Sequence, residues 1–156
     1  MKMIIGLFIL LLLVVGAIAF SQQYLKNGAF PFGKQPTATV KGHTFTLLEA
    51  KTVEETQKGL SDRSSLDKST GMLFVFEKAD AYPFWMKNMK FPLDIIYIKG
   101  DKIIDVFQDV PVPAQNDTNP PIIRPHEAAD KVLEINAGLT KDYSIGTGDT
   151  ITFKDL

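Results

Sequence analysis

Apolar and polar positions are distributed unevenly along the chain, and the unevenness divides it into three stretches. Met3–Phe20 (MIIGLFILLLLVVGAIAF) is uncharged over eighteen residues, close to the ~20 residues a helix needs to cross a hydrocarbon core. Ser21–Pro36 carries Gly28, Pro31, Gly33 and Pro36 without periodicity, and reads as a linker. From Thr37 to the end at residue 156, short apolar runs recur between turn residues, the pattern of a β-rich domain.

Within that third stretch, Thr37–Val40 and Thr44–Leu48 are rich in β-branched and aromatic residues and flank Lys41-Gly42, which predicts a hairpin. Thr52 followed by Glu55 fits a capping box, so a short helix is expected to about Lys58, stopped by Gly59. Ser61–Thr70 is polar and loop-like, with Leu66 as its apolar anchor. Gly71 opens a strand, Met72–Phe76, apolar on both faces and therefore expected to be central and covered on both sides. A loop is expected over Lys78–Pro83. Ile95–Ile98 and Lys102–Val110 read as strands joined at Gly100-Asp101. Pro111–Pro125 holds five prolines and predicts a long loop, of a length often functional. Lys131–Asn136 is a strand, Leu139–Tyr143 one helical turn, and Thr150–Phe153 a last strand. The sum is a mostly β fold: a compact, mainly antiparallel β-barrel or sandwich of about six or seven strands with one or two short helices, preceded by an N-terminal transmembrane or signal helix.

Charge orients the leader. Lys2 and the amino terminus precede it, and the next charge is Lys26. The amino terminus is therefore expected in the cytoplasm and the domain outside. Ala17-Ile18-Ala19 is an acceptable signal-peptidase site, whereas the apolar run exceeds the roughly 7–15 residues of a signal core, as an uncleaved anchor would. Either way residues 37–156 are exported or membrane-tethered. The net charge of −1 offers no basic face for nucleic acid. The absence of cysteine excludes disulfides, thiolate metal sites, a cysteine nucleophile and a lipidated cysteine.

In chain order, Gly59-Leu60 followed by Arg63, then Leu66, Gly71-Met72-Leu73-Phe74, Phe84-Trp85-Met86-Lys87-Asn88, Pro92-Leu93-Asp94-Ile95, and Val132-Leu133-Glu134 with Ala137-Gly138 form a series. That series resembles the family called "domain of unknown function 192", over about residues 37–155. The resemblance implies a small β-rich fold, often behind a signal peptide or membrane leader. It implies no activity, because the family has none assigned. The family often has methionine after the Gly-Leu pair, where this chain has Ser61.

The residues that could carry chemistry are Arg63, Trp85, Lys87, Asn88, Asp94 and Glu134. Trp85 is either a stacking platform for a sugar ring, with Asn88 and Asp94 as hydrogen-bonding partners, or a core aromatic whose indole N–H meets a backbone carbonyl. Glu134 alternates with Leu133 and Ile135 and so points to the opposite face. If that face is interior, the carboxyl needs a partner or a raised pKa. Arg63 and Lys87 are the available cations, which suggests an ion-pair network. The functional counterpart is an acid–base pair, Asp94 and Glu134, in a hydrolase.

His126-Glu127-Ala128-Ala129-Asp130 lacks the second histidine of a zinc-protease helix and reads as a capped helical turn. Asn116-Asp117-Thr118 fits a glycosylation acceptor and marks an exposed loop. Neither a metal nor a cofactor is expected. The leading expectation is a non-catalytic binding module of the cell envelope, tethered to the membrane by its N-terminal helix and taking carbohydrate or an envelope protein as partner. A hydrolase using Asp94 and Glu134 is the alternative, and a scaffold that docks protein through 111–125 is a third reading.

Overall fold

Lys41 and Gly42 both adopt positive φ, 51° and 81°, and turn the chain between the first two strands as the sequence predicts. The computed structural model describes Val15, residues 34–114 and residues 120–156. The leader apart from Val15, nearly all of the linker and Asn116-Asp117-Thr118 lie outside the described residues. Among the described residues, no helix is long and apolar enough to cross a membrane. The chain divides into units Met1–Gln35 and Pro36–Leu156, and the elements below belong to the second.

The strands are β1 (Thr37–Val40), β2 (His43–Ala50), β3 (Thr70–Asp80), β4 (Phe84–Trp85), β5 (Leu93–Lys99), β6 (Lys102–Val110), β7 (Ile122–Ile123), β8 (Ala129–Asn136) and β9 (Ile151–Lys154); the helices are α1 (Val53–Lys58) and α2 (Leu139–Asp142). Seven strands form one sheet in the order β6-β5-β8-β3-β2-β1-β9, and β4 pairs with β7 in a separate ribbon. All pairings in the large sheet are antiparallel except β2–β3, which is parallel. That pair needs a crossover, and α1 lies within it. The sheet curls into a half-barrel. At one end its edges meet, where Lys102 bridges to Thr150 and the Ile103 N–H donates to the Asp149 carbonyl at 3.0 Å.

Both faces of the sheet are covered. Leu73, Ile96, Ile98, Leu133 and Ile135 face a core completed by Val40, Phe45 and Ile151. Met72, Phe74, Ile95, Tyr97 and Val132 face a second core, roofed by Leu60, Phe84, Met86, Met89 and Ile123. The period of two along β3, β5 and β8 distributes the side chains between these cores, which explains why the central strands read as continuous apolar runs. The Tyr97 hydroxyl donates to the carbonyls of Tyr82 and Ile123, at 3.1 and 3.2 Å, and so ties two roofing segments to β5. Burial, with the Glu134 and Asp105 carboxylates adding to it, pushes that phenol well above its ordinary pKa.

Several expectations are corrected. β3 runs on to Asp80, so 78–80 is strand rather than loop, and only Met72–Phe74 is buried on both faces while Val75 is exposed. Within the predicted loop 111–125, Ile122–Ile123 forms β7 and pairs with Phe84–Trp85. The expected helical turn at His126–Asp130 is absent, because Ala129 and Asp130 already belong to β8.

At Gly71 a Cβ would lie 2.8 Å from Leu133 Cδ1, 3.1 Å from the Glu134 carbonyl oxygen and 3.1 Å from Ile135 Cγ2. β3 can approach β8 this closely only with no side chain there. Gly71→Ala is therefore expected to destabilise the fold by about 1–3 kcal/mol through overpacking, read as a lower urea midpoint. An unchanged midpoint would contradict this packing argument.

Candidate functional site

The surface built by α1 and the segment after β4 starts from a helix start and a helix stop. Thr52 Oγ1 accepts from the Glu55 N–H at 3.1 Å, and Glu55 Oε2 accepts from the N–H groups of Lys51 and Thr52 at 2.8 and 2.9 Å. Those two backbone donors hold the Glu55 carboxyl below its ordinary pKa. The helix ends at Gly59, whose φ of +50° turns the chain and whose N–H donates to the Glu55 carbonyl at 2.8 Å. Leu60 then plunges into the second core, 1% exposed.

The turn that follows is stitched to the segment after Trp85. The Ser61 hydroxyl donates to the Lys87 carbonyl at 2.9 Å, and the Asp62 N–H donates to the Asn88 carbonyl at 3.1 Å. Asp62 and Asn88 both have left-handed backbones, φ 65° and 57°, a conformation these two residue types tolerate well. At the position where the resemblance raised the question of Ser61, the side chain bonds across the turn instead of filling the core.

Met86 and Met89 are buried, which leaves Trp85, Lys87 and Asn88 outward. Trp85 is 50% exposed, so the reading of it as a core aromatic is overturned. The Lys87 ammonium lies 5.1 Å from the indole centroid, a cation–π contact. An open groove of about 500 Å³ runs between the two turns, lined by Gln57, Lys58, Ser61, Asp62, Trp85, Lys87 and Asn88. Gln57, Lys58, Ser61 and Asp62 were missed from the sequence. The groove is made by contacts 26 residues apart, and no local periodicity announces those.

The remaining sequence-predicted residues are elsewhere. Asp94 is fully buried and faces the first core's side of β5. It accepts from the N–H groups of Asp109 (2.8 Å), Gly138 (3.1 Å) and Thr140 (2.8 Å), and from the Thr140 hydroxyl (2.7 Å). Gly138 presents its N–H from a left-handed conformation, φ 84°. Asp109 presents its own from an irregularity where β6 has one residue more than β5, between the pairs Leu93↔Val110 and Ile95↔Phe107.

Glu134 is 5% exposed and lies opposite Met72 on β3 and Ile95 on β5. Asp94 pairs instead with Ile135, so the two carboxyls point to opposite faces of the sheet. They do not share a cleft in which one bond could be cleaved between them. Arg63 is half-buried, and neither Arg63 nor Lys87 forms a salt bridge with Asp94 or Glu134 among the described residues. The expected ion-pair network is therefore not formed. Burial pushes Glu134 up to about 8, the second of the two outcomes its position allowed.

His126 replaces the expected helical turn with a latch. Its Nδ1 lies 2.6 Å from Asp105 Oδ2, and its N–H donates to the same oxygen at 3.1 Å. Among the described residues there is no group of three or more acidic, histidine or cysteine side chains that could hold a metal ion.

A curled seven-stranded sheet with both faces covered, bearing an outward Trp–Lys pair beside a polar groove, defines a small mostly β domain. The chain belongs to the DUF192 family, described as an uncharacterised ACR, which matches residues 36–153. Among solved structures it is similar to a protein of unknown function from Novosphingobium aromaticivorans, with 31% identity over 76% of this chain and 83% of that one and a TM-score of 0.66. It is similar also to a protein from Sinorhizobium meliloti provisionally described as a transcription regulator, with 27% identity over 81% of this chain and 98% of that one and a TM-score of 0.68. No curated protein matches the chain.

Removing the carboxyl of Asp94 leaves four donors without an acceptor in a sealed site. Asp94→Ala is expected to cost about 3–5 kcal/mol, measured by chemical denaturation, and a cost under about 1 kcal/mol would refute the structural role. Glu134 makes the opposite prediction. Its folded pKa of about 8 lies above the usual 4.5, so the fold prefers the protonated form. Its contribution is fully present below pH 4.5 and is lost as pH rises from 4.5 to 8, at up to about 1.4 kcal/mol per pH unit. Glu134→Gln stays neutral, so it should be more stable than wild type by a few kcal/mol at pH 8 and nearly equal to it at pH 4.5. A variant equally destabilised at both pH values would point instead to hydrogen bonds that only the glutamate can make.

Proposed function

We propose that this protein is a non-catalytic binding module of the cell envelope, exported or held at the membrane by its apolar leader, and that it takes carbohydrate in the groove between α1 and β4. The observation that carries the reading is the exposure of Trp85 beside a polar concavity. An indole half in water gives the fold little burial energy, yet its exposed surface suits the apolar face of a sugar ring. Asn88, Gln57 and Asp62 offer amide and carboxyl partners for hydroxyl groups around such a ring, the mixture small-ligand sites use. The leader Met3–Phe20 and the charge preceding it support the envelope location. The opposed directions of Asp94 and Glu134 speak against the hydrolase alternative.

Trp85 is the only tryptophan, so its fluorescence reports on this site alone. Full-length protein in detergent micelles, titrated with envelope glycan fragments, is expected to give a saturable emission change and protection from acrylamide quenching. Asn88→Gly keeps the left-handed backbone and removes the amide; it should weaken binding about tenfold, the scale of one lost hydrogen bond, at an unchanged melting temperature. An indole that acrylamide reaches equally with and without every glycan would refute the proposal.

A further inference from the structure

We infer that the groove selects anionic glycans, those carrying carboxylate or phosphate groups, over neutral ones; the inference rests on the carbohydrate reading above. Two ammonium groups line the groove, Lys58 and Lys87, against one carboxylate, Asp62. Among the described residues neither lysine is in a salt bridge, as holds for most lysines there; Lys41, Lys51 and Lys131 are the ones with an acidic partner. Both lysines are therefore outside any contact ion pair, and the groove's lining holds more lysine than carboxylate.

Position adds to the count. The Lys87 ammonium lies over the Trp85 ring, 5.1 Å from its centroid, so a sugar stacking on that face moves the ammonium aside to the ring edge, where it meets the sugar's substituents. Covering the indole also excludes water from that cation, and a charge pair strengthens as the local dielectric falls. A neutral sugar would meet the same desolvated ammonium without compensating it, which is how a site rejects the ligand that lacks the matching group. Asp62 serves hydroxyl groups as an acceptor.

The site also suits more than one sugar unit. Trp85 stands directly across from Ile122 in the β4–β7 ribbon, and Ile122 is 57% exposed. Directly opposed residues share a face, so the two form an apolar ledge beside the polar groove. Aromatic and basic residues together can also attach a protein to an anionic bilayer. A concavity lined by Gln57, Ser61, Asp62 and Asn88 favours a hydroxyl-rich chain instead.

The test compares matched probes on full-length protein at low ionic strength: tetragalacturonate and short poly(glycerol phosphate) as acids, maltotetraose and chitotetraose as neutral chains, and vesicles of neutral lipid with or without phosphatidylglycerol. The acids should bind about tenfold tighter than the neutral chains, the scale of one charge pair near a surface, and the preference should shrink with salt. The Lys58→Gln/Lys87→Gln double variant should bring the acid-to-neutral ratio close to one while its melting temperature stays that of wild type. Equal affinity for acidic and neutral chains overturns the anionic preference and leaves the carbohydrate reading standing. A preference that survives the double variant also overturns this assignment. Binding to anionic vesicles and to no glycan overturns both readings in favour of the membrane, and binding to nothing overturns both outright.

Discussion

The two oxygens of the Asp94 carboxyl receive four donors from three parts of the chain: the end of β6, the glycine before α2, and the first turn of α2. Among the described residues no cation pairs with it. A buried carboxylate without a counter-ion is tolerable only where fixed N–H and O–H groups replace the water it loses, and here they do. The arrangement explains three local features together. The extra residue in β6 turns the Asp109 N–H inward, the left-handed Gly138 does the same for its own, and α2, too short to be stable alone, is held by its first turn. α2 in turn places Leu139 in the first core. The end of the sheet where β5 begins and β6 stops, opposite the one where the edges meet, thus depends on a side chain whose chemistry looks catalytic in sequence.

The groove depends on the opposite arrangement, in which buried neighbours fix exposed residues. Leu60, Met86 and Met89 are driven into the second core, and the turns that carry them are joined by backbone and serine hydrogen bonds. Burial of about three large apolar side chains, at roughly 1.5–3 kcal/mol each, far outweighs the small cost of leaving one indole partly in water. Trp85 and Lys87 are presented outward because the residues between and after them are anchored inward. The exposed pair rests on a rigid platform, which lowers the ordering cost of binding.

Much of this was legible in sequence, where the signal is local. The Lys41-Gly42 hairpin, the Thr52/Glu55 capping box, the Gly59 stop and the turn at Gly100-Asp101 each follow from a few adjacent residues, and each is where the pattern puts it. β4 and β7 were not legible. Two-residue strands carry no periodicity, and their pairing joins Trp85 to Ile122 across 37 positions. The parallel pairing of β2 with β3 was missed because direction is set by the crossover and not by either strand's composition. At the site, Trp85, Lys87 and Asn88 lie close together as the sequence puts them, and three residues within four positions could hardly do otherwise. Asp94 and Glu134 were grouped with them on chemical type alone. Whether a carboxyl faces a cleft or a sealed core depends on strand register and on what roofs the sheet, and neither is written in the local sequence.

Glu134 shows how far the two kinds of residue differ. A buried carboxyl next to Met72 and Ile95, with no salt bridge among the described residues, would cost several kcal/mol if it ionised; a pKa near 8 means that at neutral pH it is mostly protonated instead. It then acts as a polar but uncharged filler, and the fold has no need of Arg63 or Lys87 to neutralise it. Lys87 is consequently left with its cation–π contact to Trp85 and no carboxylate to neutralise. The half of the Trp85 indole that water reaches adds nothing to burial. Residues whose burial or bonding explains their presence account for the sheet and its roof, and the outward pair is explained by neither, which is the physical ground for assigning recognition to the groove rather than to the buried carboxyls.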